Sequence, residues 1–166
     1  MTRKPLIVVF GTSVLVSLVS LLYLPPEVAI HFGAKGNPDS WGTRAFLVWF
    51  FLAMDSGLFL MFLWIPSLIL RMPVALISLP NKDYWLAKEN RPKFKAIFEP
   101  LWWEYGVAVL LLSLLTKALT VDANLSAPVH MNSGIFWVIF IAFMAYTLHW
   151  VIRISRAFSR PKSAQY

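Results

Sequence analysis

Four long apolar runs constrain this chain more than any other feature. A bilayer core about 30 Å thick is crossed by roughly 20 consecutive apolar residues in a helix, and the runs over residues 6–24, 45–70, 100–119 and 135–154 meet or approach that length. The expected fold class is therefore all-α: a four-helix transmembrane bundle, one integral membrane domain over 1–166. A soluble enzyme is the class this pattern excludes, and a mean hydropathy of +0.65 with 14% charged residues agrees. Arg3 and Lys4 precede the first run as they would a secretory signal. That run is longer than a signal core and leaves through Tyr23-Leu24-Pro25-Pro26 without a small-x-small cleavage pattern, so it is expected to be an uncleaved anchor.

Charge sets the expected orientation. Twelve of the fifteen Lys and Arg residues fall on one side of the four runs: Arg3 and Lys4, then Arg71 to Lys95 between the second and third runs, then Arg153 to Lys162 after the fourth. Lys35, Arg44 and Lys117 fall on the other side. By the positive-inside rule both termini are expected in the cytoplasm, with 156–166 a basic cytoplasmic tail. The net charge of +7 is thus read as attraction to anionic lipids, with no nucleic-acid partner. With no cysteine the chain has no disulfide or thiol chemistry.

The connection between the first two runs is expected outside and structured. Val28, Ile30 and Phe32 alternate with Ala29 and His31, a short strand signal. Lys35-Gly36-Asn37-Pro38-Asp39 supplies turn chemistry, and Ser40 or Thr43 is placed to cap the second helix. His31, Asn37 and Asp39 offer a nitrogen and two oxygens that could bind a divalent ion; alternatively His31 and Asp39 hydrogen-bond each other or Arg44 to fix the loop. The second reading is favoured, no metal or cofactor is assigned, and Gly36 and Trp41 are read as a backbone-geometry position and an interfacial anchor. The inner connection holds Asn81, Asp83, Tyr84 and Trp85 among six basic residues. It reads as an interfacial helix, with Asp83 its N-cap and Pro92 an interruption.

Asp55, Glu104, Lys117 and His149 are ionisable residues within the runs. Asp55 falls near the bilayer midplane, where a charge costs about 2.5–3.5 kcal/mol on insertion scales. It is expected either as a neutral group hydrogen-bonded to another helix or as part of a transport or relay path. Glu104 and His149, at similar depth, either pair or extend to the interface, and Lys117 is expected to reach outward to its own interface. Asn124-Leu125-Ser126 has the form of a glycosylation sequon. No G-x-S-x-G, H-E-x-x-H or phosphate loop is present, so no enzymatic activity is expected.

Leu24-Pro25, Ile30-His31-Phe32, Gly36, Asp39 and Trp41-Gly42-Thr43-Arg44 resemble a small bacterial membrane domain. Its pattern is L-P, an apolar stretch, then H-[FW]-x(3)-G-x-x-D-x-[WY]-[GA]-[ST]-[KR]. The domain also occurs at the N-terminus of immunity proteins of the sporulation-delaying toxin system. The likeness covers roughly residues 6–70, and Leu79-Pro80-Asn81-Lys82-Asp83-Tyr84-Trp85-Leu86 is similar to a second segment of stand-alone members. The resemblance implies a multi-pass protein of the bacterial inner membrane. It further implies a protective or signalling task towards a membrane-active peptide. The residues are read as a binding or sensing module whose loop from His31 to Arg44 recognises a peptide or protein partner, with a small transporter or proton-relay accessory subunit using Asp55 as the alternative; the oligomeric state stays open.

Overall fold

The computed structural model describes residues 3–159. Its elements run α1 (Lys4–Tyr23), β1 (Glu27–Phe32), β2 (Pro38–Thr43), α2 (Arg44–Ile69), a 3-10 turn (Val74–Leu76), α3 (Lys82–Leu86), α4 (Arg91–Leu125) and α5 (Ser133–Ser159). α1, α2, α4 and α5 are each long and apolar enough to cross a membrane. Successive spans reverse direction, so one end of the bundle gathers the described N-terminal start, α3 and the end of α5, and the other carries the two strands.

α1, α2 and α4 pack mutually, and α5 packs against α4. Lipid chains are as apolar as leucine, so packing and interhelical hydrogen bonds, rather than expulsion from water, hold such helices together. The outward faces are correspondingly apolar: Val8, Leu22, Trp49, Trp64, Val138 and Leu148 are all exposed. Inside, Leu6, Phe62, Trp103 and Leu110 form the mid-bundle core. Gly106 lets α2 come close there, because a Cβ on it would sit 2.6 Å from the Phe62 ring.

The expected helix positions hold, with boundary changes that have local causes. α4 begins at Arg91 instead of about 100, because Pro92 occupies its first turn, where a missing N–H costs nothing. Pro100 is accommodated inside it, and its 35 residues give about 52 Å, well beyond the bilayer core. Thr43 caps α2, accepting from the Phe46 N–H at 3.2 Å. α5 continues as helix through Arg156 to Ser159, so the first four residues of the expected tail are helical; residues 160–166 lie outside the described residues.

Two expectations are corrected. The fold is mostly helical but carries a two-stranded antiparallel sheet, Glu27 facing Thr43 and Phe32 facing Pro38. The second strand was hidden because Pro38-Asp39-Ser40 reads as turn chemistry, and only pairing with β1 makes it extended. The inner connection is also not a helix lying in the interface. α3 has five residues, and its Trp85 and Leu86 turn inward to join Ile77, Phe94, Phe98 and Phe158 in an aromatic core. Asn81, at φ 53 in the left-handed region, is its N-cap residue, and Asp83 falls in the first turn. The Asn81 side chain donates to the Ser159 carbonyl at 2.8 Å and the Trp85 indole to the Phe158 carbonyl at 2.9 Å, tying α3 to the end of α5. Tyr84 stacks edge-on against Trp85 and its carbonyl accepts from the Asn90 side chain at 3.0 Å.

Candidate functional site

The hairpin made by β1 and β2 forms one wall of the site. Its turn closes through Gly36 N–H to Gly33 O at 2.8 Å and Gly33 N–H to Asn37 O at 2.9 Å. Gly36 has φ +85 and presses on the connection between α4 and α5: the Met131 N–H donates to the Gly36 carbonyl at 2.9 Å. A Cβ on Gly36 would meet the Met131 carbonyl oxygen at 2.1 Å. Gly36→Ala is therefore expected to cost about 1–3 kcal/mol through strain and clash together. A lowered unfolding midpoint with faster amide exchange around Gly36 would register it.

His31 Nδ1 and Asp39 Oδ1 are 2.5 Å apart across the hairpin, both substantially exposed. This is the loop-fixing arrangement expected of them, with Arg44 turned elsewhere: its guanidinium donates to the Leu24 carbonyl at 3.0 Å and closes the base of the hairpin. Asn37 contributes its backbone carbonyl to the turn, and Trp41 is half-exposed on the outer strand. Among the described residues no group of three or more His, Cys, Asp or Glu is placed to hold a metal.

On its other edge β1 is gripped by α4. The Asn124 side chain accepts from the Ala29 N–H at 2.7 Å and donates to the Ala29 carbonyl at 2.9 Å. One amide thus supplies the donor and acceptor that a neighbouring strand would. Asn124 is buried, so the sequon reading is overturned: its nitrogen is committed to Ala29 and to the Thr120 carbonyl.

Beneath the hairpin, between α2, α4 and the start of α5, lies a cavity of about 430 Å³. Ile30, Phe32, Phe50, Phe51, Met54 and Phe136 give it mostly apolar walls, while His31, Thr116, Thr120 and Ser133 add polar groups. Its size falls within the about 300–1,000 Å³ of small-molecule sites, which pair apolar walls with a few polar groups in this way.

Directly below that cavity is a closed polar cluster. Asp55 of α2 and Lys117 of α4 form an ion pair at 2.6 Å, and both are essentially inaccessible. Ser13 and Ser113 donate to the two carboxylate oxygens at 2.7 and 2.5 Å. The Lys117 ammonium also reaches Ser13 Oγ and Ser17 Oγ at 2.7 Å each and the Ser13 carbonyl at 3.0 Å. Its three protons are thereby matched without water, as a charge buried away from solvent requires. The expectation for Lys117 is corrected: instead of reaching its interface it turns inward, because a carboxylate and two serines at its own depth satisfy it better than a stretched side chain. Phe51 forms the partition, lining the cavity while its ring lies 5.4 Å from the Lys117 ammonium.

Glu104 stands apart from both features, near the opposite end. It pairs with Arg153 and accepts from the Tyr146 hydroxyl at 3.0 Å, stapling α4 to α5. His149 is exposed on α5, so the suggested Glu104–His149 pair is replaced by Glu104–Arg153.

The sequence reading missed Ser13, Ser17, Ser113, Lys117 and Asn124 as partners. Two signals were present. Ser13 and Ser17 on α1, like Ser113 and Lys117 on α4, are spaced four apart and so share a helix face. Asp55 and Lys117 also stand at comparable depth, about 16 and 12 Å along their helices from the hairpin end.

Residues 8–54 match the family model described as Domain of unknown function (DUF1648), less than a third of the chain. The matched stretch takes in α1 from Val8, the whole hairpin and α2 as far as Met54, one residue short of Asp55. No curated protein and no solved structure matches the chain.

Proposed function

We propose that this multi-pass membrane protein is a binding and sensing module without enzymatic activity, whose ligand is an amphiphile taken up beneath the hairpin. The cavity carries this reading. Its aromatic and aliphatic walls suit an apolar body, and the exposed His31–Asp39 pair at its hairpin wall suits a polar end. The likeness to immunity proteins favours a membrane-active peptide as the natural amphiphile, in a bacterial inner membrane. The positive-inside bias favours an orientation with the hairpin outside and both termini in the cytoplasm.

The route for a signal follows from the partition. An occupant pressing on Phe51 acts on the Lys117 side of the ion pair, and α4 runs unbroken from Asn124 at the hairpin to Phe94 and Phe98 in the core around α3. The competing reading, a small transporter or proton relay using Asp55, rests on the buried charges themselves. It is weaker, because both Asp55 oxygens are engaged by serines and the paired ammonium inside a fully buried cluster, and a relay needs a path to water.

A diazirine-bearing fatty acid tests the proposal in reconstituted bilayers. Photo-adducts are expected to concentrate on Met54 and Phe136 and to fall about tenfold in Thr120→Trp, which fills the cavity and so removes roughly 1.4 kcal/mol of binding. Adducts spread evenly along lipid-facing Val138 and Leu148, unchanged by Thr120→Trp, would overturn it.

A further inference from the structure

A second cleft lies at the opposite end of the bundle, remote from the hairpin. It measures about 330 Å³ and is bounded by Ile65 and Ile69 of α2, Ser78 to Pro80, Phe98 and Trp102 of α4, and Trp150, Ile154 and Ser155 of α5. Its walls are mostly apolar, with Ser78 and Ser155 adding polar groups, and they belong to three helices long and apolar enough to span a membrane.

Three cations flank this cleft along the chain. Arg71 follows Ile69 by two residues, Lys82 follows Pro80 by two, and Arg156 is next to Ser155. Among the described residues none of the three has a carboxylate within 4.0 Å, whereas Lys95, Lys117 and Arg153 each have one. At this end Glu99 is engaged with Lys95 and Glu104 with Arg153, which leaves Asp83 and Glu89 against the larger set Arg71, Lys82, Lys88, Arg91, Lys93 and Arg156, an excess of positive charge. An apolar slot beside uncompensated positive charge is complementary to one kind of molecule, a chain-bearing anion.

We propose that this cleft is a site for one anionic phospholipid, with an acyl chain in the slot between α2, α4 and α5 and its phosphate held by Arg71, Lys82 and Arg156. The site is distinct from the cavity beneath the hairpin and does not depend on what that cavity binds. The cleft also touches Ser78-Leu79-Pro80, the segment leading into α3, so an occupied site fastens that segment to the ends of α2 and α5.

The test is native mass spectrometry of the full chain released from bilayers containing phosphatidylglycerol and phosphatidylcholine in equal amounts. The expected result is a single retained lipid, phosphatidylglycerol favoured. Arg71→Gln, Lys82→Gln and Arg156→Gln are each expected to lower that preference about fivefold, the equivalent of about 1 kcal/mol per cation at a charged membrane surface. Lys88→Gln and Lys93→Gln, basic residues on the same end but away from the cleft, are expected to leave it unchanged. Leu79→Trp, which fills the slot while keeping every charge, is expected to abolish retention and guards against charge variants that misfold. Equal retention of the two lipids, or an equal loss from the Lys88 and Lys93 variants, overturns the site and leaves only a general attraction of basic residues to anionic membranes.

Discussion

Lys117→Met is expected to be the most damaging single substitution in this chain, lowering stability by about 3–5 kcal/mol. Removing one partner of a buried ion pair strands the other charge, and that penalty exceeds what the pair itself contributes. Asp55 is fully buried, so without Lys117 its carboxylate keeps only Ser13 and Ser113 as partners. The double variant Asp55→Leu with Lys117→Met is expected to recover most of the loss, since apolar replacement of a complete buried pair is often neutral. Ser13 and Ser113 can then turn to carbonyls four residues back on their own helices, as Ser17 and Ser20 already do. Equilibrium unfolding in mixed micelles, run as a double-mutant cycle, measures both. A double variant as unstable as Lys117→Met would show that the damage comes from lost side-chain shape, not from an orphaned charge.

Asn124→Ala is the second large effect. It strips the Ala29 N–H and carbonyl of their partners while Ala29 remains buried. Each buried unsatisfied group costs about 1–3 kcal/mol, so two cost about 2–6 kcal/mol, reduced where water enters from the hairpin end. The loss is local, because the disc of contacts around Leu24, Val28 and Leu47 still holds the base of the hairpin. Amide exchange across β1 and β2 is therefore expected to accelerate while the mid-span helices stay protected. Asn124→Asp should behave similarly, keeping an acceptor for the Ala29 N–H but losing the donor to its carbonyl. Unchanged exchange in the strands would mean that Asn124 does not hold them.

Much of the architecture was legible in the sequence because its cause is one-dimensional. Bilayer thickness converts run length into spans directly, so α1, α2, α4 and α5 could be read without knowing any contact. The His31–Asp39 bond was also within reach, since a short turn brings residues eight apart face to face. What stayed hidden depends on residues distant in sequence meeting in space. Asp55 stood out alone, but its partner lies 62 positions away, and a lysine eight residues from a helix end satisfies the snorkelling reading equally well. Asn124 illustrates the same limit: a local motif suggested an exposed modification site, while its partner Ala29 is 95 residues distant. The inner segment was misplaced because Trp85, Phe94 and Phe98 have the composition of an interfacial helix, and only Phe158, from the far end of the chain, makes them a core.

The central claim is that the hairpin end holds an open apolar cavity while the ion pair beneath it is sealed. Because the native chain has no cysteine, single thiols test both halves at once. Met54→Cys stands on the cavity wall and Ser113→Cys beside Asp55. With a small water-soluble thiol reagent added on the hairpin side, the Met54 variant is expected to label, and to label more slowly when oleate is present, while the Ser113 variant stays unreacted. Labelling at Ser113 as fast as at Met54 would contradict the account, since water would then reach the pair and a relay through Asp55 would become the better reading.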